Sequence, residues 1–310
     1  MMTRIADSDT VTNSMRIIDE FLQQKPKGPL YHYTSAEGLL GMMQTRTIWA
    51  TSVQHLNDAQ EYQYGVELLR EELTTRLRAE RGPANERYGE LLKSLEGRQP
   101  GPIYVTCFSE KGDLLSQWRA YCPKGNGYSI SLDDRHLQHV EAAHGFRLLK
   151  CVYDLEEQRD LCRALIDAFI NQENVDLPDT TAADFWETME RSFQADQARR
   201  SKWAEKLLMV AAALKHQGFK EEQEWRFVGL GSSASAHCFR EGRFGIVPFY
   251  KIPLCREDQG IKANEIIIGP TGDRSAALMA VGTMLWFYAD DYDPCRVPPI
   301  YRATETPYRP

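Results

Sequence analysis

No stretch of this sequence reaches the run of roughly 20 apolar residues that a membrane helix needs. The longest, near Ala276 to Ala289, is interrupted by Gly282 and Thr283. Basic charge is also short: 37 Lys and Arg face 44 Asp and Glu, for a net charge of −7. That balance argues against wholesale coating of nucleic acid, while one local basic groove stays compatible with it. Paired cysteines are missing as well. The seven cysteines are odd in number, widely spread and never spaced CxxC, which points away from a zinc knuckle or a disulfide framework. The stretch 1–13 lacks the apolar core of a signal peptide, so the cytoplasm is the expected compartment. What the 310 residues do hold is 42% hydrophobic and 10% aromatic side chains, which excludes a disordered or fibrous chain.

Apolar periodicity predicts helices over 14–24, 35–45, 59–79, 84–95, 155–172, 182–216 and 274–288, with Gly82-Pro83 splitting the third from the fourth. β-rich segments predict strands over 30–34, 47–51, 103–109, 127–132, 146–154, 224–230, 245–254 and 265–269. Asn126-Gly127 reads as a hairpin turn ahead of its strand. Phe185, Trp186, Met189, Phe193, Trp203, Leu207 and Val210 recur mostly at helical steps, as a buried stripe does. Strands at both ends of a helical middle predict one α+β domain over 1–310, with a helical insertion at about 155–216.

Several motifs fail on inspection. Gly229-Leu230-Gly231-Ser232-Ser233-Ala234 matches GxGxxG/A, but a Rossmann turn must open a helix. The following Ser235 to Gly242 has no helical period, so a loop between strands is expected. His136, His139 and His144 lack a companion Cys or carboxylate pattern, so a solvated helix face is expected rather than a metal site. No GxSxG, Walker loop or HExxH is present.

Four short segments carry more polar and aromatic chemistry than packing needs. In Tyr31-His32-Tyr33-Thr34-Ser35, strand alternation puts His32 and Thr34 on one face and both tyrosines on the other. An imidazole and a hydroxyl at a strand end suit ribose hydroxyls; a buried His beside a Ser35 helix cap is the alternative. Leu56-Asn57-Asp58 with Glu61 is explained largely by capping, with Asp58 and Glu61 the only hint of a nuclease carboxylate pair. Cys107-Phe108-Ser109 and Ser116-Gln117-Trp118-Arg119-Ala120-Tyr121 offer Ser109, an aromatic wall from Trp118 and Tyr121, and in Arg119 a cation for a phosphate. Core packing of Trp118 with a snorkelling Arg119 is the alternative. Glu221-Glu222-Gln223-Glu224-Trp225-Arg226-Phe227 places Glu224 and Arg226 on one face of a strand, as a fixed electrostatic group or as a plain ion pair.

Together these segments resemble a bacterial family of uncharacterised domains whose members carry HYTS, LND with a following Glu, CFS, SQWR and EWR. The likeness runs from His32 to the strands after Arg226. The opening, His-x-Thr at a strand end and then a helix and a strand, is similar to ADP-ribosyltransferase folds, including DNA-modifying toxins and RNA 2′-phosphotransferases. That resemblance implies a mixed or mainly antiparallel sheet of that type, NAD as cofactor, and a macromolecular acceptor, nucleic acid or protein. It suggests a toxin or antiviral defence effector, with an antitoxin or other partner protein conceivable. It implies that His32 holds the NAD ribose with Thr34 beside it, and that Glu224, with Glu222 as alternate, stabilises the transition state. Such a carboxylate answers the positive charge that develops on the sugar as the glycosidic bond breaks. The tyrosine stacking on nicotinamide stays open among Tyr33, Tyr104 and Tyr121, and Arg119 or Arg226 is expected on the pyrophosphate. A nucleotide-binding sensor without turnover is the competing expectation.

Overall fold

The computed structural model describes residues 8–56, 59–97, 103–121, 125–172, 206–230, 237–242, 245–256, 260–288 and 300–306. The chain divides into two compact units. The first, Met1–Gln24 with Asp58–Pro102 and Val152–Gln217, is mainly helical in its described residues. It holds α1 (Ser8–Leu22), α3 (Ala59–Ala79), α4 (Pro83–Gly97) and α7 (Leu155–Gln172). Helix α7 packs on the other three, and Phe21, Leu69, Leu73, Leu91, Leu165 and Phe169 are buried there. Within the described residues the expected 182–216 helix covers only 206–211, after which Leu214 makes a parallel bridge with Val152. Of the expected stripe, Phe185 to Trp203 lie outside the described residues, while Leu207 and Val210 are buried.

The second unit, Lys25–Asn57 with Ile103–Cys151 and Gly218–Pro310, carries the sheet. Its first strand β1 (Tyr31–Ser35) runs directly into α2 (Ala36–Thr45), because the Ser35 hydroxyl accepts from Gly38 N at 3.2 Å and caps the helix. Arg46 ends α2 in the left-handed region, φ 55°, and β2 (Thr47–Ser52) follows. Then come β3 (Tyr104–Ser109), α5 (Leu115–Tyr121), β4 (Gly127–Leu132), α6 (Asp134–His144) and β5 (Arg147–Lys150). The last third supplies β6 (Glu224–Gly229), β7 (His237–Gly242), β8 (Gly245–Pro253), β9 (Ala263–Ile268), α8 (Arg274–Tyr288) and β10 (Ile300–Ala303).

The protein is thus α+β, with an open ten-stranded sheet in the order β10-β9-β4-β1-β3-β2-β8-β7 and with β6 and β5 branching from β3. All pairs are antiparallel except β9 with β10. Two expectations need correction. Asn126-Gly127 makes no hairpin: it leads into β4, which pairs with β1 and β9, and its Asn126 carbonyl accepts from Ala36 N. Part of the stretch read as a loop, His237–Gly242, is the edge strand β7 on β8. Beyond the strands that periodicity predicts, Ile300–Ala303 forms β10, parallel to β9.

Strand β3 organises the sheet. One edge pairs with β6 along all six residues. The other is shared: Ser109 pairs with Tyr31 of β1, while Val105 and Tyr104 pair with Thr51 and Ser52 of β2. Between those pairings the sheet forks. One face of the sheet is covered by α2, α6 and α8, whose Leu39, Met43, Leu137, Val140, Val281 and Leu285 meet Phe108, Ile130, Trp225, Phe227 and Ile266 in the main core. The opposite face, at β1, β4 and β9, lies against α5 and the loop before it through Tyr33, Trp118 and Ile267.

Candidate functional site

His32 sits at the fork. Its Nδ1 donates to the Cys107 carbonyl at 2.9 Å, at the stretch of β3 that neither β1 nor β2 pairs. A carbonyl only accepts, so the proton is on Nδ1 and Nε2 carries the lone pair. Burial holds the imidazole below its ordinary pKa, against the opposing pull of the Cys107 bond, so the ring is neutral near pH 7. The ring leans on Phe108, with centroids 5.7 Å apart. Thr34 lies over the first turn of α2: a Cβ at Gly38 would overlap its hydroxyl oxygen, so a side chain there would displace the Thr34 hydroxyl.

The register decides which groups share a face. Directly opposed residues of a ladder project to the same side, and the line Tyr31, Ser109, Glu224 is continuous across β1, β3 and β6. Glu224 and Arg226 therefore lie on the face of Tyr31, Tyr33 and Ser109. His32 and Thr34 project to the other, with Phe108 and Trp225. Alternation within each strand is as the sequence predicts, but the structure does not bring His32 and Glu224 to one face.

Glu224 is held tightly. Its two oxygens accept from Arg226 Nε and Nη2, both at 2.9 Å, and the two side chains are only 6% and 2% exposed. Burial works against the guanidinium charge, yet Glu224 raises the Arg226 pKa well above its usual value. Glu222 lies outside the strand, partly buried, at the end of a 3-10 turn Gln217–Glu222. Between the two, Gln223 takes φ 45°, a left-handed conformation uncommon for a side-chain-bearing residue.

The CFS and SQWR residues mostly build structure. The Ser109 hydroxyl donates to the Glu222 carbonyl at 2.7 Å and accepts from Lys111 N at 3.0 Å. Tyr33 donates to the Lys111 carbonyl at 2.8 Å, accepts from Leu114 N at 2.9 Å, and meets Trp118 edge-on at 4.8 Å. Trp118 is fully buried, its Nε1 donating to Asp113 at 2.7 Å. Tyr104 is buried against Tyr250 and His237, with its hydroxyl 2.7 Å from His237 Nδ1. Of the three tyrosines weighed for stacking, only Tyr121 is exposed; it stands with Arg119 on the outer side of α5.

Two polar networks have no counterpart in the sequence reading. Asp113 accepts from Trp118, from the hydroxyls of Thr304 and Thr306 and from Glu305 N, fastening the segment after β10. Burial pushes that carboxyl up, but the hydrogen bonds led by Thr304 and Trp118 hold it below the usual range. On the same side Tyr31 donates to Glu265 at 2.6 Å, and Glu265 accepts from Arg302 at 2.8 Å. An Asp shortly before a helix reads as a cap, so nothing local distinguishes Asp113. In the helical unit Glu61 pairs with the buried Lys215 at 3.3 Å, which absorbs the Glu of the LND segment; Asn57 and Asp58 lie outside the described residues.

The histidines of α6 also need correction. His136 is buried rather than on a solvated face, with Nδ1 donating to the Leu254 carbonyl and Nε2 accepting from Lys262 N. Among the described residues no group of three or more His, Cys, Asp or Glu is placed to hold a metal ion, and no helix is long and apolar enough to cross a membrane.

Fold and site together define an α+β protein whose forked, mostly antiparallel sheet presents a neutral histidine at the split. A family model described as "Protein of unknown function (DUF2971)" matches residues 117–227, from Gln117 in α5 to Phe227 in β6. Comparison with curated proteins and with solved structures gave no match.

Proposed function

We propose that the chain binds a nucleotide, NAD on its resemblance to ADP-ribosyltransferases, at the fork beside His32, and passes ADP-ribose to a nucleic-acid or protein acceptor. One observation carries the binding step: the Cys107 carbonyl fixes the His32 tautomer, leaving Nε2 an acceptor of set direction. A sugar hydroxyl is the donor such a group suits, and Thr34 on the same strand face supplies a second hydroxyl partner. NAD supplies the ADP-ribosyl group and nicotinamide as its leaving group. Both Glu224 oxygens are taken by Arg226 and its face is opposite to His32, which leaves Glu222, outside the strand, as the carboxylate this reading would use. That same observation favours a second reading, a nucleotide-binding sensor without turnover.

Calorimetric titration with NAD, together with nicotinamide release in a cell extract, separates the two. Transfer predicts NAD binding lost in His32→Ala, and nicotinamide release lost in Glu222→Ala but kept in Glu224→Gln. Binding without release identifies the sensor. No binding of NAD by the native chain would remove the transferase reading, and no thermal stabilisation by any nucleotide would remove the sensor as well.

A further inference from the structure

Helix α8 is apolar around its whole circumference: no charged residue occurs from Ser275 to Tyr288. One stripe, with Val281 and Leu285 at its centre, is spent on the main core. The other stripe, Ala276, Met279, Ala280, Thr283, Trp286 and Phe287, repeats at three- and four-residue steps and faces solvent. Met279, Trp286 and Phe287 are 68%, 73% and 71% exposed, with Trp286 and Phe287 packed edge-on at 5.5 Å. The Thr283 hydroxyl donates to the Met279 carbonyl of its own helix, so it asks nothing of a partner.

At roughly 200 Å² per large side chain, these three leave about 400 Å² of apolar surface in water, half of the ~800 Å² per partner that a specific interface buries. The smaller stripe residues extend the patch, as does Tyr301 of β10, 41% exposed, which abuts the helix at Gly282. Trp, Phe and Met without charge is the make-up of an interface centre.

We propose that the outer stripe of α8 is the two-fold interface of a homodimer. The stripe is self-complementary when two copies cross antiparallel about its midpoint near Ala280 and Thr283. Trp286 and Phe287 at one end then meet the small Ala276 at the other end of the second copy, and the small residues at the crossing let the backbones approach. The absence of charge means that no like pair is set opposite itself at the axis.

Sedimentation equilibrium of the full chain tests this, with Trp286→Glu and Ala280→Trp as variants. The first places a charge in the interface and the second fills the crossing point; both positions are exposed in the single chain, so far-UV circular dichroism should match the native chain, while the concentration-dependent part of the native Tm is lost with the dimer. A native dimer, with a dissociation constant raised at least about tenfold by each variant, is the expected result. A native chain that stays monomeric overturns the proposal, whether because another segment of the chain covers the stripe or because the chain co-floats with phosphatidylcholine vesicles instead. A dimer indifferent to both variants overturns it too.

Discussion

Glu224 gives the sharpest way to separate a structural carboxylate from a catalytic one. The Glu224–Arg226 pair is bidentate and almost completely shielded from water. Taking away one partner of such a pair leaves a buried charge short of its counter-ion, which costs about 3–5 kcal/mol. Replacing both partners by apolar side chains of similar size removes the desolvation penalty along with the attraction, and is near neutral or stabilising. Glu224→Leu should therefore lower stability by about 3–5 kcal/mol, or roughly 6–20 °C in Tm for a domain of this size class. Glu224→Leu with Arg226→Met should recover most of that loss. Urea unfolding at pH 7, followed by far-UV circular dichroism, reads both as shifts of the midpoint at constant slope. A catalytic carboxylate held under strain behaves in the opposite way, its removal leaving stability unchanged or higher. A Glu224→Leu cost below about 1 kcal/mol, or a double variant as unstable as the single one, would refute the ion-pair argument.

Further expectations concern protonation and packing. Burial holds His32, His136 and His144 below the ordinary imidazole range, so as pH falls below roughly 6.5 the unfolded chain takes up protons first. Stability should be flat above that pH and decline toward pH 5; denaturant melts in a buffer series check it, and a rise over that interval would contradict it. Gly65 of α3 lies so close to the Ala211 carbonyl that an added Cβ would overlap it, and Gly65→Ala should cost about 1–3 kcal/mol, read by thermal melting. Asp113→Ala strands the donors of Trp118, Thr304, Thr306 and Glu305, so about 2–3 kcal/mol is expected. Amide exchange should then speed up at 303–306, and unaltered protection there would count against the latch.

Much of the fold is written in local chemistry. The Ser35 cap, the Gly82-Pro83 break and the apolar run of α8 each mark an element where the structure has it. The strands that escape a periodic reading are edges. In β7 neither face is buried, so His237 to Gly242 shows no alternation, and β10 exists because β9 offers it a parallel edge. The site was legible strand by strand: His32 with Thr34, and Glu224 with Arg226, do share faces. What alternation cannot supply is how the faces of separate strands correspond. A shift of one residue exchanges them, and the Tyr31–Ser109–Glu224 register, set by pairings some 80 and 115 residues apart in sequence, is invisible in any short window.

The shared edge of β3 also bears on the order of events during synthesis. Everything that the helical unit needs has been made once Gln217 has emerged, whereas β6, the full-length partner of β3, begins only at Glu224. For more than a hundred residues of translation β3 has at most the partial company of β1 and β2, with its longer edge unpaired. Such an edge is a template for mispairing with other chains. The sheet therefore closes late, and the helical unit has the earlier opportunity to fold. A nascent chain with Gln217 outside the ribosome and Glu224 still in the exit tunnel carries the whole helical unit and an open strand edge, which makes that interval the one in which a chaperone has most to protect.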